Sequence, residues 1–216
     1  MPNDILSPAL IASMVGNLSV PDLIRTMETF KQSGQTASIE AGYAAWIAHN
    51  QGHPLLYAVL FNYSVCLSDA GKLDEAQQQL EKAIAINQPD PSDPIDVLAK
   101  VGGFDIAGMA GVFLAGAAHG VPVVMDGFIS CVAALLAARI APFAKDYMIA
   151  SHVSKEPAAH LLLAELGKEA FLHCDMCLGE GTGAIMLFPI LDQANAVYRG
   201  MATFDEAQIE TYVPLT

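Results

Sequence analysis

The sequence predicts an all-α helical segment followed by an α/β part built on a parallel sheet. Three observations carry this reading. Between residues 20 and 88, apolar residues recur at helical spacing, with breaks at Gly34, Gly52-His53-Pro54 and Gly71. Residues 89–95 then place three prolines in seven positions, which is a linker signature and the expected domain boundary. From residue 96 to 216, short apolar strands alternate with helical stripes, and polar residues stand where each strand ends.

The elements follow in order. Residues 1–19 are weakly patterned, contain Pro2, Pro8, Gly16 and Asn17, and read as an arm or a short helix. Helices are expected at about 21–32, 36–50, 55–69 and 74–87. In the last pair, Leu60, Tyr63, Ser64 and Leu67 line one helix and Gly71 turns the chain. Asp74 is placed to cap the second helix, Glu75 suits its first turn, and Ala76, Leu80 and Ala83 line it with Ile86 behind. This order of large, small, turn glycine, then small, bulky, small resembles a tetratricopeptide repeat. A more degenerate copy runs through Leu23, Met27, Gly34, Tyr43 and Trp46. The two turn glycines, Gly34 and Gly71, lie 37 residues apart, close to the 34-residue period of that family. The resemblance implies a protein or peptide partner at the hairpins, because each exposes an apolar face that only a neighbour can cover. Trp46, the only tryptophan, reads as a packing residue.

Beyond the boundary, Gly102-Gly103 opens a helix with Ile106, Met109, Ala110, Phe113, Leu114 and Ala117 on one stripe. A strand over 121–125 ends at Asp126-Gly127, and a helix covers 129–140. A second strand over 147–150 ends at Ser151-His152, and another helix covers about 156–166. A glycine-rich loop and its helix close the series. Strands joined in this way give a doubly wound sheet whose ligands bind outside the carboxyl ends of the strands. Asp126, Ser130, Ser151, His152 and Glu180 all fall at such ends or in the loops after them.

Composition excludes several classes. Hydrophobic residues make up 53% and charged residues 15%, so a sizeable core is expected and disorder is not. The net charge is −13, shared as −6 over residues 1–93 and −7 over 94–216. No basic patch is available to neutralise phosphates, so nucleic acid is excluded as a partner. Ile106 to Met125 carries no formal charge, but its four glycines, His119 and Pro122 fit a buried helix and strand better than a membrane span. The N-terminus lacks a basic n-region and a secretory apolar run, so a reduced, cytoplasmic protein is expected. Cys174 and Cys177 have CxxC spacing, but without a second pair they read as small buried residues. His152 and His160 lack carboxylate or cysteine partners at ligand spacing, so neither a metal nor a cofactor is expected.

The stretch that organises the chain is Leu178-Gly179-Glu180-Gly181-Thr182-Gly183. Its glycines let the backbone approach a ligand and adopt φ > 0. The helix that follows aims its first N–H groups back at the loop. Two readings stand side by side: a plain turn with a solvated acid at the helix start, or a carboxylate placed to take a proton from a bound substrate.

Four motifs occur in order: Lys100-Val101-Gly102-Gly103-Phe104-Asp105-Ile106-Ala107; Pro122-Val123-Val124-Met125-Asp126-Gly127-Phe128-Ile129-Ser130; Ala150-Ser151-His152; and Leu178 to Ala184 through the glycine loop. Together, over about residues 94–208, they resemble the C-terminal half of nicotinate-nucleotide–dimethylbenzimidazole phosphoribosyltransferase. The resemblance implies a Rossmann-like sheet, a homodimer, and transfer of phosphoribose from nicotinate mononucleotide to 5,6-dimethylbenzimidazole in cobalamin lower-ligand synthesis. It assigns the catalytic base to Glu180. Lys100, Gly102 and Gly103 would hold the phosphate, and Asp126, Ser130, Ser151, Gly179, Gly181, Thr182 and Gly183 would line the substrate site. Asp126 reads equally as a cap, and Ser151-His152 as a strand-end turn. The family's N-terminal half has no counterpart in residues 1–93, so the chain reads as a hybrid or chimera. Two functions follow: a phosphoribosyltransferase or its inactive remnant, and a non-catalytic interaction protein whose half-sheet is scaffold.

Overall fold

The structure, a computed structural model, describes residues 7–210, with the side chain of Pro8 excepted. It divides into two compact units, Met1–Pro91 and Ser92–Thr216.

The first unit is helical: α1 (Pro8–Val15), α2 (Val20–Gln32), α3 (Thr36–His49), α4 (Leu56–Asp69) and α5 (Leu73–Asn87). The short helix expected within residues 1–19 is α1, and the first six of those residues lie outside the described residues. Ser19 caps α2: its Oγ accepts from the Asp22 N–H, and a proline follows at the start of the helix. Asp74 is not the cap of α5. Lys72 holds that position without a side-chain bond, and Asp74 and Glu75 lie in the first turn, where their charge suits the helix dipole. The core gathers Ile11, Val15, Leu23, Met27, Tyr43, Trp46 and Val59. Trp46 is fully buried, and its indole N–H donates to the Leu18 carbonyl at 2.9 Å. α4 and α5 form a hairpin about Gly71, whose φ is +77°. Leu60, Ser64, Leu67, Ala76 and Ala83 are buried as the stripes predict, but Leu80 and Ile86 are exposed.

In the second unit, α6 (Pro94–Val101), α7 (Phe104–Ala118), β1 (Val123–Met125), α8 (Phe128–Ile140), a 3-10 turn (Pro142–Tyr147), β2 (Met148–Ala150), α9 (Ala159–Leu166) and α10 (Thr182–Gly200) follow in order. α6 falls partly where a linker was expected. The Asp93 carboxylate accepts from the N–H groups of Ile95 and Asp96, and Pro94 takes the first helical position, so this proline begins a helix rather than breaking one.

The sheet is much smaller than a doubly wound one. β1 and β2 pair in parallel, Val123 opposite Met148 and Met125 opposite Ala150, with one further bridge between His152 and Leu172. Val121 is drawn off the strand because its N–H bonds the Gly116 carbonyl at the end of α7. After Ala150 the longest apolar run, residues 184–191, is taken up by α10 instead of a strand. Most of the core is therefore helix on helix. Ala133, Ala134 and Ala137 of α8 are wholly buried, and their small side chains let α7 and α9 approach closely. Phe113 and Ala117 of α7 and Leu163 and Leu166 of α9 complete this core. The uncharged stretch 106–125 is α7, a turn and β1, and among the described residues no helix is long and apolar enough to cross a membrane. Cys174 and Cys177, expected inside, are exposed, because the irregular segment that carries them runs over the surface.

Candidate active site

The site forms at the carboxyl end of β1, where three chain segments meet. Asp126 follows β1 directly and its carboxylate reaches the start of α10. Oδ2 accepts from the Gly181 N–H at 3.0 Å and Oδ1 from the Ala184 N–H at 3.1 Å. These N–H groups belong to a helix N-terminus, where the first donors lack partners within the helix and the dipole favours a negative charge. Asp126 is thus a cap, applied across 55 and 58 residues, and it fastens the glycine-rich loop to the sheet.

The loop has an unusual backbone. Gly179, Glu180 and Gly181 all have positive φ, at +74°, +57° and +79°. Glycine adopts this region freely, but for glutamate it costs of order 1–2 kcal/mol. Glu180 is held there by its two glycine neighbours, by the Thr182 N–H bond to the Gly179 carbonyl, and by the Asp126 clamp. Its side chain is exposed and has no hydrogen bond or ion pair among the described residues. A strained residue with an uncommitted carboxylate, fixed by surrounding structure, is the kind of position that functional sites retain.

Ser151 and His152 follow β2 and are buried. The Ser151 Oγ donates to the Asp126 carbonyl at 2.9 Å and lies 3.0 Å from His152 Nδ1. The imidazole rests against the backbone of Gly183, so closely that a Cβ there would fall on Nδ1 and Cε1. This contact requires glycine at 183. Beside the ring, the Ser154 hydroxyl donates to Glu156 and holds that carboxyl below its usual range, with the Glu156 backbone adding to the effect. Ser130 bonds back to the Gly127 carbonyl at 2.8 Å.

These residues line a cavity of about 490 Å³, together with Met109 of α7 and Cys177 and Leu178 of the loop. Asp126, Ser130, Gly179, Glu180 and Gly181 all border it. Ser151, Thr182 and Gly183 are next to lining residues in the chain but do not line it. Lys100, Gly102 and Gly103 do not border it. Lys100 lies on α6 and pairs with Asp96 at 2.8 Å, Gly102 ends α6 hard against Leu98, and Gly103 precedes α7. Ser154 and Glu156 border the cavity without having been expected there, and so does His152, which the sequence placed at a strand end but not among the substrate contacts. Only the polar run after the second strand hinted at them. Two further cavities, of about 550 and 360 Å³, share Val153, His160 and His173 and flank the segment before the loop. No group of three or more potential metal ligands occurs among the described residues.

Comparison with known proteins places this geometry in a family. A family model described as phosphoribosyltransferase matches residues 66–209. The match begins within α4, so α5 and the proline-rich segment fall inside it, earlier than the four motifs alone indicated. The nicotinate-nucleotide–dimethylbenzimidazole phosphoribosyltransferase of Clostridium acetobutylicum is 53% identical over 138 residues, covering 64% of this chain and 39% of that protein. The protein of the same name from Acetivibrio thermocellus is 50% identical over 149 residues, covering 67% and 42%. Among solved structures, CobT from Thermus thermophilus superposes with a TM-score of 0.58 at 38% identity, over 65% of this chain and 41% of that one. A second structure from that organism, of a nicotinate-nucleotide–dimethylbenzimidazole phosphoribosyltransferase, gives 0.60 at 29% identity over 82% of this chain and 60% of that one. The chain spans about two fifths of the length of the curated relatives it matches. Over residues 66–209, which hold every residue of the site, the chain belongs to the phosphoribosyltransferase family.

Proposed function

We propose that this chain carries out, or retains the base-bearing half of, phosphoribosyl transfer from nicotinate mononucleotide to 5,6-dimethylbenzimidazole, a step of cobalamin lower-ligand synthesis. The observation that carries this reading is Glu180, an uncommitted carboxylate locked at positive φ beside a 490 Å³ cavity. The names of the relatives support the two substrates. In the reaction, one nitrogen of the benzimidazole attacks the anomeric carbon of the ribose. The bond from that carbon to the nicotinate nitrogen breaks, and nicotinate leaves with the bonding pair. The azole gains positive charge as it attacks, and its other nitrogen gives up a proton to Glu180. The exposed side chain of Glu180 can reach a ligand in the cavity without breaking an existing bond. Lys100, Gly102 and Gly103 stay candidates for the phosphate on the resemblance alone, since packing against Leu98 already accounts for the glycine at 102.

A homo-oligomer fits the same reading. α10 buries only Gly183 and Leu187 and leaves Ile185, Met186, Phe188, Val197 and Tyr198 exposed. The alternative is an interaction protein that binds a protein or peptide through tetratricopeptide-like hairpins over 20–88, bounded by the arm 1–19 and the segment 89–95. Phe61, Val65, Leu73 and Ile84, exposed on α4 and α5, favour it. On this alternative reading, any hybrid origin would concern the residues before 66, where the family match begins.

Incubating the purified chain with both substrates and analysing the products by mass tests the proposal. A ribosyl-benzimidazole phosphate is expected. A folded chain that forms none and binds neither substrate overturns the reading.

A further inference from the structure

We infer that His152 is a ligand-contacting residue, a fixed hydrogen-bond acceptor for a ribose hydroxyl in the Glu180 cavity. The inference rests on the phosphoribosyl reading for the identity of its ligand, but its structural part stands on hydrogen-bond logic alone.

Ser151 Oγ has one hydrogen and two close partners, the Asp126 carbonyl at 2.9 Å and His152 Nδ1 at 3.0 Å. A carbonyl oxygen only accepts, so the hydroxyl hydrogen must point to Asp126. The other contact is then a bond only if Nδ1 carries the hydrogen and donates to Oγ. The reverse arrangement would bring two acceptors, Oγ and the carbonyl, to 2.9 Å with no hydrogen between them. The tautomer is thus assigned from the network: hydrogen on Nδ1, lone pair on Nε2 in the neutral ring.

Nε2 has no hydrogen bond among the described residues. No enclosed side-chain nitrogen or oxygen there lacks a partner, so Nε2 must be open to the cavity that His152 borders. The ring is packed on two sides. Gly183 lies against its Nδ1 edge, and the space above Gly127 faces Cε1 and Nε2. His152 is only 4% exposed, so an acceptor there is shielded from bulk water. The same ring touches Gly183 in the first turn of α10, so the acceptor and the Glu180 backbone just before that helix are held together. The carboxylates around it, Glu156 and Glu180, are acceptors too and cannot satisfy Nε2. Water can donate to Nε2 in the free chain, and a ligand seated in the cavity replaces that water with a donor of its own. Of the parts of a ribosyl phosphate at neutral pH, the sugar hydroxyls are the donors.

The test combines the tautomer with a binding measurement. Long-range proton–nitrogen NMR of the intact chain at neutral pH should show the His152 hydrogen on Nδ1 alone; a hydrogen on Nε2, in either the neutral or the charged ring, overturns the inference. Ribose 5-phosphate is then titrated into the chain and into His152→Asn, whose amide nitrogen keeps the donor to Ser151 but leaves nothing at the Nε2 position. Affinity should fall about fivefold to tenfold, as expected for loss of one hydrogen bond in a shielded site. Equal affinity in a folded variant overturns the inference, as does failure of the unaltered chain to bind ribose 5-phosphate. If His152→Asn does not fold, Ser151→Ala serves instead: it should release the tautomer and weaken binding several-fold, and an unchanged tautomer with unchanged affinity overturns the inference. Nicotinate release by the unaltered chain, measured separately, decides the phosphoribosyl reading whatever these titrations show.

Discussion

Removing the Asp126 carboxylate should release the glycine loop from the sheet. Asp126→Ala deletes two charge-assisted bonds, to the N–H groups of Gly181 and Ala184, and strips the N-terminus of α10 of its only side-chain anchor among the described residues. A single lost cap costs roughly 0.5–2 kcal/mol. The carboxylate's interaction with the helix dipole adds about 0.3–1 kcal/mol. Asp126 is half-buried, so water recovers part of the loss, and about 2 kcal/mol in total is a fair expectation. For a unit the size of residues 92–216 this lowers Tm by about 6–10 °C. Two readouts check it: a thermal melt, and hydrogen exchange at Gly181 and Ala184, which should speed up while exchange in α8 changes little. Asp126→Asn should lie between, because its amide keeps one acceptor and turns a donor toward the other N–H. If Asp126→Ala melted within about 1 °C of the unaltered chain, with both amides still protected, the clamp would be wrong.

Other outcomes follow from the same contacts. Gly183→Ala drives a methyl group onto the His152 ring and should cost about 2–3 kcal/mol, whereas Gly179→Ala meets no atom and should cost about 1 kcal/mol for its positive φ; paired denaturant melts check the order. Burial pushes the Cys131 thiol up to about 11, with the Asp126 charge adding to it. The folded chain therefore holds that proton more tightly than the unfolded one, and this share of stability is complete below the ordinary thiol value of 9 and lost as pH rises from 9 toward 11. Melts across that range should decline less steeply in Cys131→Ala; parallel declines would contradict the assignment. Trp46→Phe leaves the Leu18 carbonyl without its donor and should destabilise the first unit by about 1–3 kcal/mol, read by circular dichroism.

Much of the fold was legible because glycine and proline punctuate it. The breaks at Gly34, Pro54 and Gly71 set α2 to α5 to within one residue of their expected starts. The stripe Ala110, Phe113, Ala117 faces the core of the second unit as its spacing predicts. What failed was signal with two meanings. Pro94 reads as linker in a run of prolines, yet behind Asp93 it opens a helix. Short apolar runs ended by polar residues located both strands, but each proved only three residues long, because strand length depends on partners that local sequence does not name. In the site, Glu180 was visible because a carboxylate among three glycines is conspicuous. The cap made by Asp126 was open only as an alternative, since its donors lie 55 and 58 residues away. The contact made by His152 was hidden for the same reason: it depends on Gly183 and on the direction of one hydroxyl hydrogen, neither of which spacing reveals.

The most direct test of the central claim, that Glu180 is the working base, is the rate of nicotinate release from nicotinate mononucleotide and 5,6-dimethylbenzimidazole, measured on the unaltered chain beside Glu180→Gln. Because the Glu180 side chain is exposed and unpaired among the described residues, the variant should melt at nearly the same temperature while its release falls by about a hundredfold or more, the scale of a lost general base. Release that persists unchanged in Glu180→Gln, or a variant that loses stability in step with activity, would contradict the account and leave the glycine loop a structural turn.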